Sequence, residues 1–463
     1  MHLIDYGIVA TYLGSLAYLG FSRRAGKKQS AVEFILGGRA LTLPAFVASL
    51  VSTWYGGILG VGEFTYRYGI ANWLVFGVPY YLAALLFALY LAKRARQSEV
   101  LTIPDTLHAT YGRGTAIAGA IILFLTTLPG AYILMLAILL KYLFGWPFWL
   151  GAVLGTIFSI FYIHMGGFRS VVRTDILQFV LMYVGFIVMF IMLVWQYGGL
   201  PFIRSAVPST HLAWHGGNSG WYIAIWYVIA LQTLVEPAFY SRCYAAKDPK
   251  VARNGILISI LCWMVFDFLT TSCGLYVRAI LPNLEDPAAS YVALANLMLP
   301  AGIMGIFALS LLTTVHSTVD SYFFIAATTF GRDIVWRIFR VPEERITHYT
   351  RMGLILSAVI ALGAALYFKS IIDIWHDFGS VGTPALLLPL FTAMNNKRLM
   401  SPRMALLSVL TSGGISLLWL LSRYWTGDGQ YWYGLEPIFP GLIISIAIYS
   451  FGRKQTSCRG LIL

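Results

Sequence analysis

Charge is what this sequence lacks most. Only 11% of its 463 residues are Asp, Glu, Lys or Arg, whereas 59% are hydrophobic; soluble domains carry about 25% charged residues. That shortage excludes a water-soluble fold, because no single core of this length could hide so much apolar side chain. Cysteine is scarce too. Cys243, Cys262, Cys273 and Cys458 form no C-x-x-C pair, and three of them fall in or beside apolar stretches, so no disulfide framework is expected. No low-complexity linker or extended polar segment interrupts the chain, which reads as one membrane domain. No H-E-x-x-H or paired Ser–Lys motif is present and the eight histidines are scattered, which argues against a membrane enzyme. The start, Met1-His2-Leu3-Ile4-Asp5, has neither a basic n-region nor a small-residue cleavage site after it. The first apolar run is therefore expected to be a retained span.

What the chain has in abundance is apolar runs near the ~20 residues that a spanning helix needs. They predict an all-α polytopic membrane protein with thirteen spans: 4–22, 43–62, 70–92, 115–140, 146–163, 176–197, 221–243, 255–279, 301–329, 351–368, 373–393, 402–421 and 436–452. The formal charge of +13 could suggest nucleic acid, but its distribution points to topology. With the N-terminus outside, 26 of the 32 basic residues fall in inside segments and 6 in outside ones. Basic loops resist translocation. The expected arrangement is a multi-pass protein of the cell (plasma or inner) membrane with its C-terminus in the cytoplasm. Its partners are then the lipid bilayer and a small solute, not nucleic acid.

Two of the spans are broken. The second carries Gly56-Gly57-Ile58-Leu59-Gly60-Val61-Gly62, and five spans later 221–243 carries Glu236-Pro237. Glycine costs about 1 kcal/mol and proline about 3 in a helix interior, and a broken helix in lipid survives only when buried in protein or lining a cavity. An element repeated an odd number of spans later enters from the opposite side. Interrupted helices at matching positions of inverted halves are the sequence mark of a transporter's central site. The strongest local pattern is Thr313-Thr314-Val315-His316-Ser317-Thr318-Val319-Asp320-Ser321 in span 301–329. Thr314, Ser317, Thr318 and Ser321 share one helical face, with Asp320 at its edge. Hydroxyls there can bond back to their own backbone or glue helices together. An intramembrane carboxylate among them, however, points to function, and the oxygens suit a dehydrated monovalent cation. Asp175 stands where span 176–197 begins, either as an exposed N-cap or as part of a larger motif.

Taken together these motifs resemble the sodium:solute symporter family over nearly the whole chain. Gly37-Gly38-Arg39 is similar to its Gly-Gly-Arg entry, and Thr53-Trp54-Tyr55-Gly56-Gly57 to its unwound first core helix. Gly166 to Gln178 matches Gly-Gly-x-x-x-Val-x-x-Thr-Asp-x-x-Gln. Pro237, Arg242, Ala245 and Ala246 fit Pro-x-x-x-x-Arg-x-x-Ala-Ala, and Ser317 to Ser321 with Arg332-Asp333-Ile334 resembles its Ser-Thr-Ala-Asp-Ser…Arg-Asp-Ile signature. Thr314 and Val319 replace the alanines that are common there.

The resemblance implies a five-plus-five inverted-repeat (LeuT-like) core. Residues 43–197 would form the first repeat and 221–393 the second, with 4–22 and 402–452 as accessory helices. It implies sodium as coupling ion, held by the carbonyls of Ser52 and Tyr55 (or Leu50 and Thr53, should the glycine run be offset), the carbonyl of Thr314 and the hydroxyls of Ser317 and Thr318. A second sodium has Asp175, Ser317, Asp320 and Ser321 as candidates. Solute contacts are expected from Tyr55, Gly56, Gly57, Gln232 and Glu236. The function implied is sodium-coupled symport of a small organic solute by alternating access; a proton-coupled carrier or a transporter-like sensor are the alternatives. His316 is either a packed core residue or a sign of proton coupling. Asp267, and the cluster Asp373, His376 and Asp377, have no role assigned by sequence.

Overall fold

The computed structural model describes residues 1–21, 30–367, 371–395, 398–426 and 429–455. Nearly all of them are helical. Eight helical stretches are long and apolar enough to cross a bilayer, and a ninth is a pair, Leu43–Trp54 and Ile58–Tyr68, bent by 58°. Four shorter apolar helices, Leu3–Leu16, Phe148–Phe161, Gly379–Met394 and Ile438–Phe451, lie at other predicted spans. Aliphatic side chains of the peripheral helices, such as Leu89, Ile191 and Val359, point outward, as the surface of a multi-pass membrane protein must.

Both predicted breaks are present. Tyr55 to Gly57 form a turn between the two halves of the bent pair, and the second half runs to Tyr68, beyond the predicted end at 62. The other break separates Gly220–Ile229 from Pro237–Ala245 through a tight 3-10 turn, Ala230–Val235, that ends at an extended Glu236. The predicted span 115–140 is interrupted as well, between Arg113–Thr126 and Gly130–Phe144, where Pro129 supplies no amide to continue the first helix.

One expectation is corrected. Residues 164–175, read as a loop for their arginines and Asp175, are helical within Phe148–Tyr197, and the only non-helical residue of that stretch is Gly167 (φ 59°, ψ −155°). Hydropathy misread the segment because its polar face meets protein instead of water: Ser170, Thr174, Asp175 and Gln178 are all buried. A Cβ on Gly167 would lie 2.8 Å from the Phe34 carbonyl oxygen, so glycine is needed there for both its backbone conformation and its lack of bulk.

Helix Ile303–Thr328 is the axis of the molecule. Every residue from Phe307 to Thr329 is buried, enclosed by Phe148–Tyr197, Leu43–Trp54, Gly130–Phe144, Ile346–Tyr367 and the N-terminal helix. The two broken helices are clasped at their ends. Leu41 donates to the Ala245 carbonyl (3.0 Å) and accepts from Lys247 (2.9 Å), so the entry to one is tied to the exit of the other.

Candidate functional site

The polar face of Ile303–Thr328 meets the last turn of Leu43–Trp54. Thr318 donates its hydroxyl to the Thr53 carbonyl oxygen at 2.7 Å, and Ser317 Oγ lies 2.9 Å from Ser52 Oγ and 2.6 Å from Asp175 Oδ1. Gly56 makes this approach possible, since a Cβ there would sit 2.1 Å from Thr318 Oγ1. Thr314 turns its hydroxyl back to the Ser310 carbonyl (2.6 Å), and its own carbonyl is 3.4 Å from Thr318 Oγ1. Ser52, Thr314, Ser317 and Thr318 thus lie together, with Ser52 present by its hydroxyl and not by the carbonyl expected of it. The backbone oxygen facing Thr318 belongs to Thr53, which favours the Leu50/Thr53 register over Ser52/Tyr55.

Asp175 is a wholly buried carboxylate and not an exposed cap. Ser49 donates to its Oδ2 at 2.5 Å, and Arg242, itself buried, stands 3.4 Å from the same oxygen. The guanidinium also donates to Ser49 (3.1 Å), Thr53 (2.8 Å) and Ser321 (2.7 Å). Sequence reasoning matched Arg242 to a motif without giving it a task. Its partners are spread over three helices other than its own, and only folding assembles them. Asp320 faces a different neighbour, His316, whose Nδ1 is 3.6 Å from its carboxylate; His316 Nε2 meets Ser159 at 2.9 Å. His316 is therefore a buried, hydrogen-bonded core residue.

Beside this knot a cavity of about 180 Å³ opens between the two broken helices. Tyr55, Gly57, Gln232 and Glu236 line it, as expected; Gly56 does not, being pressed against Thr318. Trp54, Tyr80, Tyr81, Trp263 and Tyr322 supply aromatic walls. Glu236 begins helix Pro237–Ala245, accepting from the Ala238 amide (3.3 Å) and the Tyr322 hydroxyl (3.1 Å). Gln232 donates to Tyr80 at 3.2 Å. Asp267, unexplained by sequence, lines the same cavity and accepts hydroxyls from Tyr55 and Tyr81. A mid-span carboxylate with no basic residue nearby in sequence was the available signal. Of the remaining cluster, Asp377 pairs with Arg423 at 2.6 and 3.0 Å; the side chains of Asp373 and His376 lie outside the described residues.

The model of the sodium:solute symporter family matches residues 34–402. The sodium/pantothenate symporter of Escherichia coli (strain K12) is 25% identical over 469 residues, covering 95% of both chains. The sodium/proline symporter of Staphylococcus aureus is 24% identical over 98% of this chain and 93% of its own length. Among solved structures, a Na+-coupled sialic acid symporter in a substrate-bound outward-open state superposes with a TM-score of 0.79 at 18% identity, covering 99% of this chain and 100% of its own. Mhp1, a nucleobase-cation-symport-1 family transporter, superposes at 0.54 and 12%, covering 92% and 94%. A match over most of the chain, a broken helix packed on a serine–threonine helix and the shared fold lead to one assignment: this chain belongs to the sodium:solute symporter family.

Proposed function

We propose that the chain moves a small organic solute with sodium by alternating access, the ion bridging the broken helix Leu43–Trp54 to helix Ile303–Thr328. The observation that carries this reading is the meeting of Ser317 and Thr318 with Ser52 and the Thr53 carbonyl. Hydroxyls and a peptide oxygen, with Asp175 close behind, are the hard, mostly neutral donors that a bare alkali cation prefers. The cavity next to them takes the solute. Because Tyr55 and Gly57 belong to the unwound turn that also ends the ion site, holding the ion shapes the solute site. Coupling requires that sodium bind one conformation better than the other. A membrane potential adds about 2.3 kcal/mol per charge per 100 mV to inward movement.

Residues 43–197 and 221–393 would act as the two inverted halves, with the N-terminus outside and the C-terminus in the cytoplasm. A second sodium at Asp175 and Ser321 would have to share that carboxylate with Arg242. The ratio of ²²Na to solute influx separates one ion from two.

Uptake of radiolabelled solutes into proteoliposomes, with and without a sodium gradient, tests the proposal. Ser317→Ala and Thr318→Ala should each raise the sodium concentration for half-maximal uptake by about tenfold, the equivalent of losing one good ligand at ~1.4 kcal/mol, while the protein still folds. Wild-type sodium dependence in both variants would remove the ion from this place. Uptake driven by a pH gradient alone would indicate a proton carrier, and binding without accumulation a sensor.

A further inference from the structure

The chemistry of the cavity wall says what kind of solute fits. Among the described residues lining it there are two carboxylates, Glu236 and Asp267, and no lysine, arginine or histidine. Among the described residues, Asp267 is bound only by hydroxyls, from Tyr55 and Tyr81. Glu236 is bound by a hydroxyl and an amide. The cation nearest in sequence, Arg242, spends its nitrogens on Asp175, Ser49, Thr53, Ser321 and Ser241. Two carboxylates at bilayer depth are costly without a positive partner, and neutral donors offset only part of that cost. The walls around them include Trp54, Trp226, Trp263, Tyr80, Tyr132 and Tyr322, and the face of such a ring attracts a cation through its quadrupole.

A second observation points to a ligand independently. Thr383, on helix Ile371–Met394, lines the same cavity and is 1% exposed, yet its hydroxyl has no hydrogen-bond partner among the described residues. A threonine inside a membrane helix usually returns its hydroxyl to a carbonyl one turn back, as Thr392 does on the same helix, 2.6 Å from the Leu388 carbonyl.

We propose that the transported solute carries a positively charged nitrogen, received by Asp267 and Glu236 within the aromatic cage, with a polar group of the solute meeting Thr383. This rests on the cavity being the solute site of a sodium-coupled symporter. The ammonium supplies the positive charge that the wall lacks and is held by charge-assisted hydrogen bonds. A solute whose only charge is a carboxylate would face two like charges with no counter-charge. The proposal therefore separates this chain from carriers of simple organic anions.

The test uses the full chain purified in detergent and three probes with one apolar body: 2-phenylethylamine, 3-phenylpropionate and 2-phenylethanol. Ligand-induced change in Tm is followed at fixed sodium. The amine should act at a concentration about tenfold or more below the alcohol, a gap of ~1.4 kcal/mol, and the anion should have no effect. Asp267→Asn and Glu236→Gln should each remove the advantage of the amine while leaving the response to alcohol. The rise in Tm caused by sodium alone shows that each variant is folded and reads the ion site separately. Should wild type respond to sodium but favour the anion, or treat all three probes alike, this inference fails and the symport reading stands. An amine preference that survives both substitutions would equally overturn it. So would an Asp267→Asn variant that loses its response to sodium instead of to amine, because Asp267 would then serve the inorganic ion. No response to sodium in wild type would count against the symport reading itself.

Discussion

At the scale of single residues, the decisive contact joins a residue without a side chain to one with a hydroxyl. Gly56 lets Thr318 approach the unwound turn, and an added methyl would sit 2.1 Å from its oxygen. That is far inside van der Waals contact, and the obstacle is a short, branched side chain on a fully buried helix. Overpacking of a dense interior costs about 1–3 kcal/mol, and here it would push the carbonyl of Thr53 away from Thr318. Gly56→Ala should therefore abolish sodium-driven uptake while protein still reaches the membrane. Normal uptake by that variant would show that the two helices need not touch. The sequence names Gly56 as a solute contact; in the structure it faces Thr318 and is not among the residues that line the cavity. The glycine run marks close approach without saying to what.

At the scale of elements, both interruptions were legible because glycine, and proline after Glu236, leave marks that hydropathy does not erase. The helix containing Asp175 was not legible. Its arginines and carboxylate look like a loop until one knows that Ser49, Arg242 and Ser317 cover the carboxylate. A polar run is read as solvent-facing unless a partner from elsewhere in the chain is known. Gly167 sets the angle at which this segment leaves the preceding helix, with φ at 59° and the Phe34 backbone against it. Alanine there combines backbone strain of about 1–3 kcal/mol with a clash against the Phe34 carbonyl, which cannot easily yield. Gly167→Ala should lower the Tm of the purified protein and reduce uptake with it. An unchanged Tm would mean that the kink is dispensable.

At the scale of the whole molecule, the uneven placement of basic residues predicts the sidedness. Pro208, Ser209 and Trp214 lie exposed in the segment after Leu200–Ala206, on the predicted outer side, and Glu343 to Arg345 are exposed on the predicted inner one. Cys243 and Cys273 are buried and Cys262 is half-buried, so native thiols interfere little once Cys262 and Cys458 are replaced by serine. In that background a membrane-impermeant maleimide should label Ser209→Cys in intact cells, and Glu344→Cys only after permeabilisation. The reverse pattern would invert the topology. On the predicted inner side Asp105 pairs with Arg337 and, at 3.3 Å, with Arg332, while Thr102 bonds Asp333 at 2.7 Å. These contacts join Ile103–Tyr111 to the end of the central helix, so the Arg-Asp-Ile motif forms a clamp at one end of the bundle.

The sequence by itself determined that the chain lives in lipid, where two of its helices break and which hydroxyls share a face. All three follow from composition and helical period, which are local properties. Only the tertiary structure decided that Thr53 supplies the oxygen facing Thr318, that Arg242 balances Asp175, and that Asp267 joins Glu236 around one cavity. Each of these depends on residues at least thirty positions apart, and which side chains meet across such distances is chosen by packing, which no local pattern encodes.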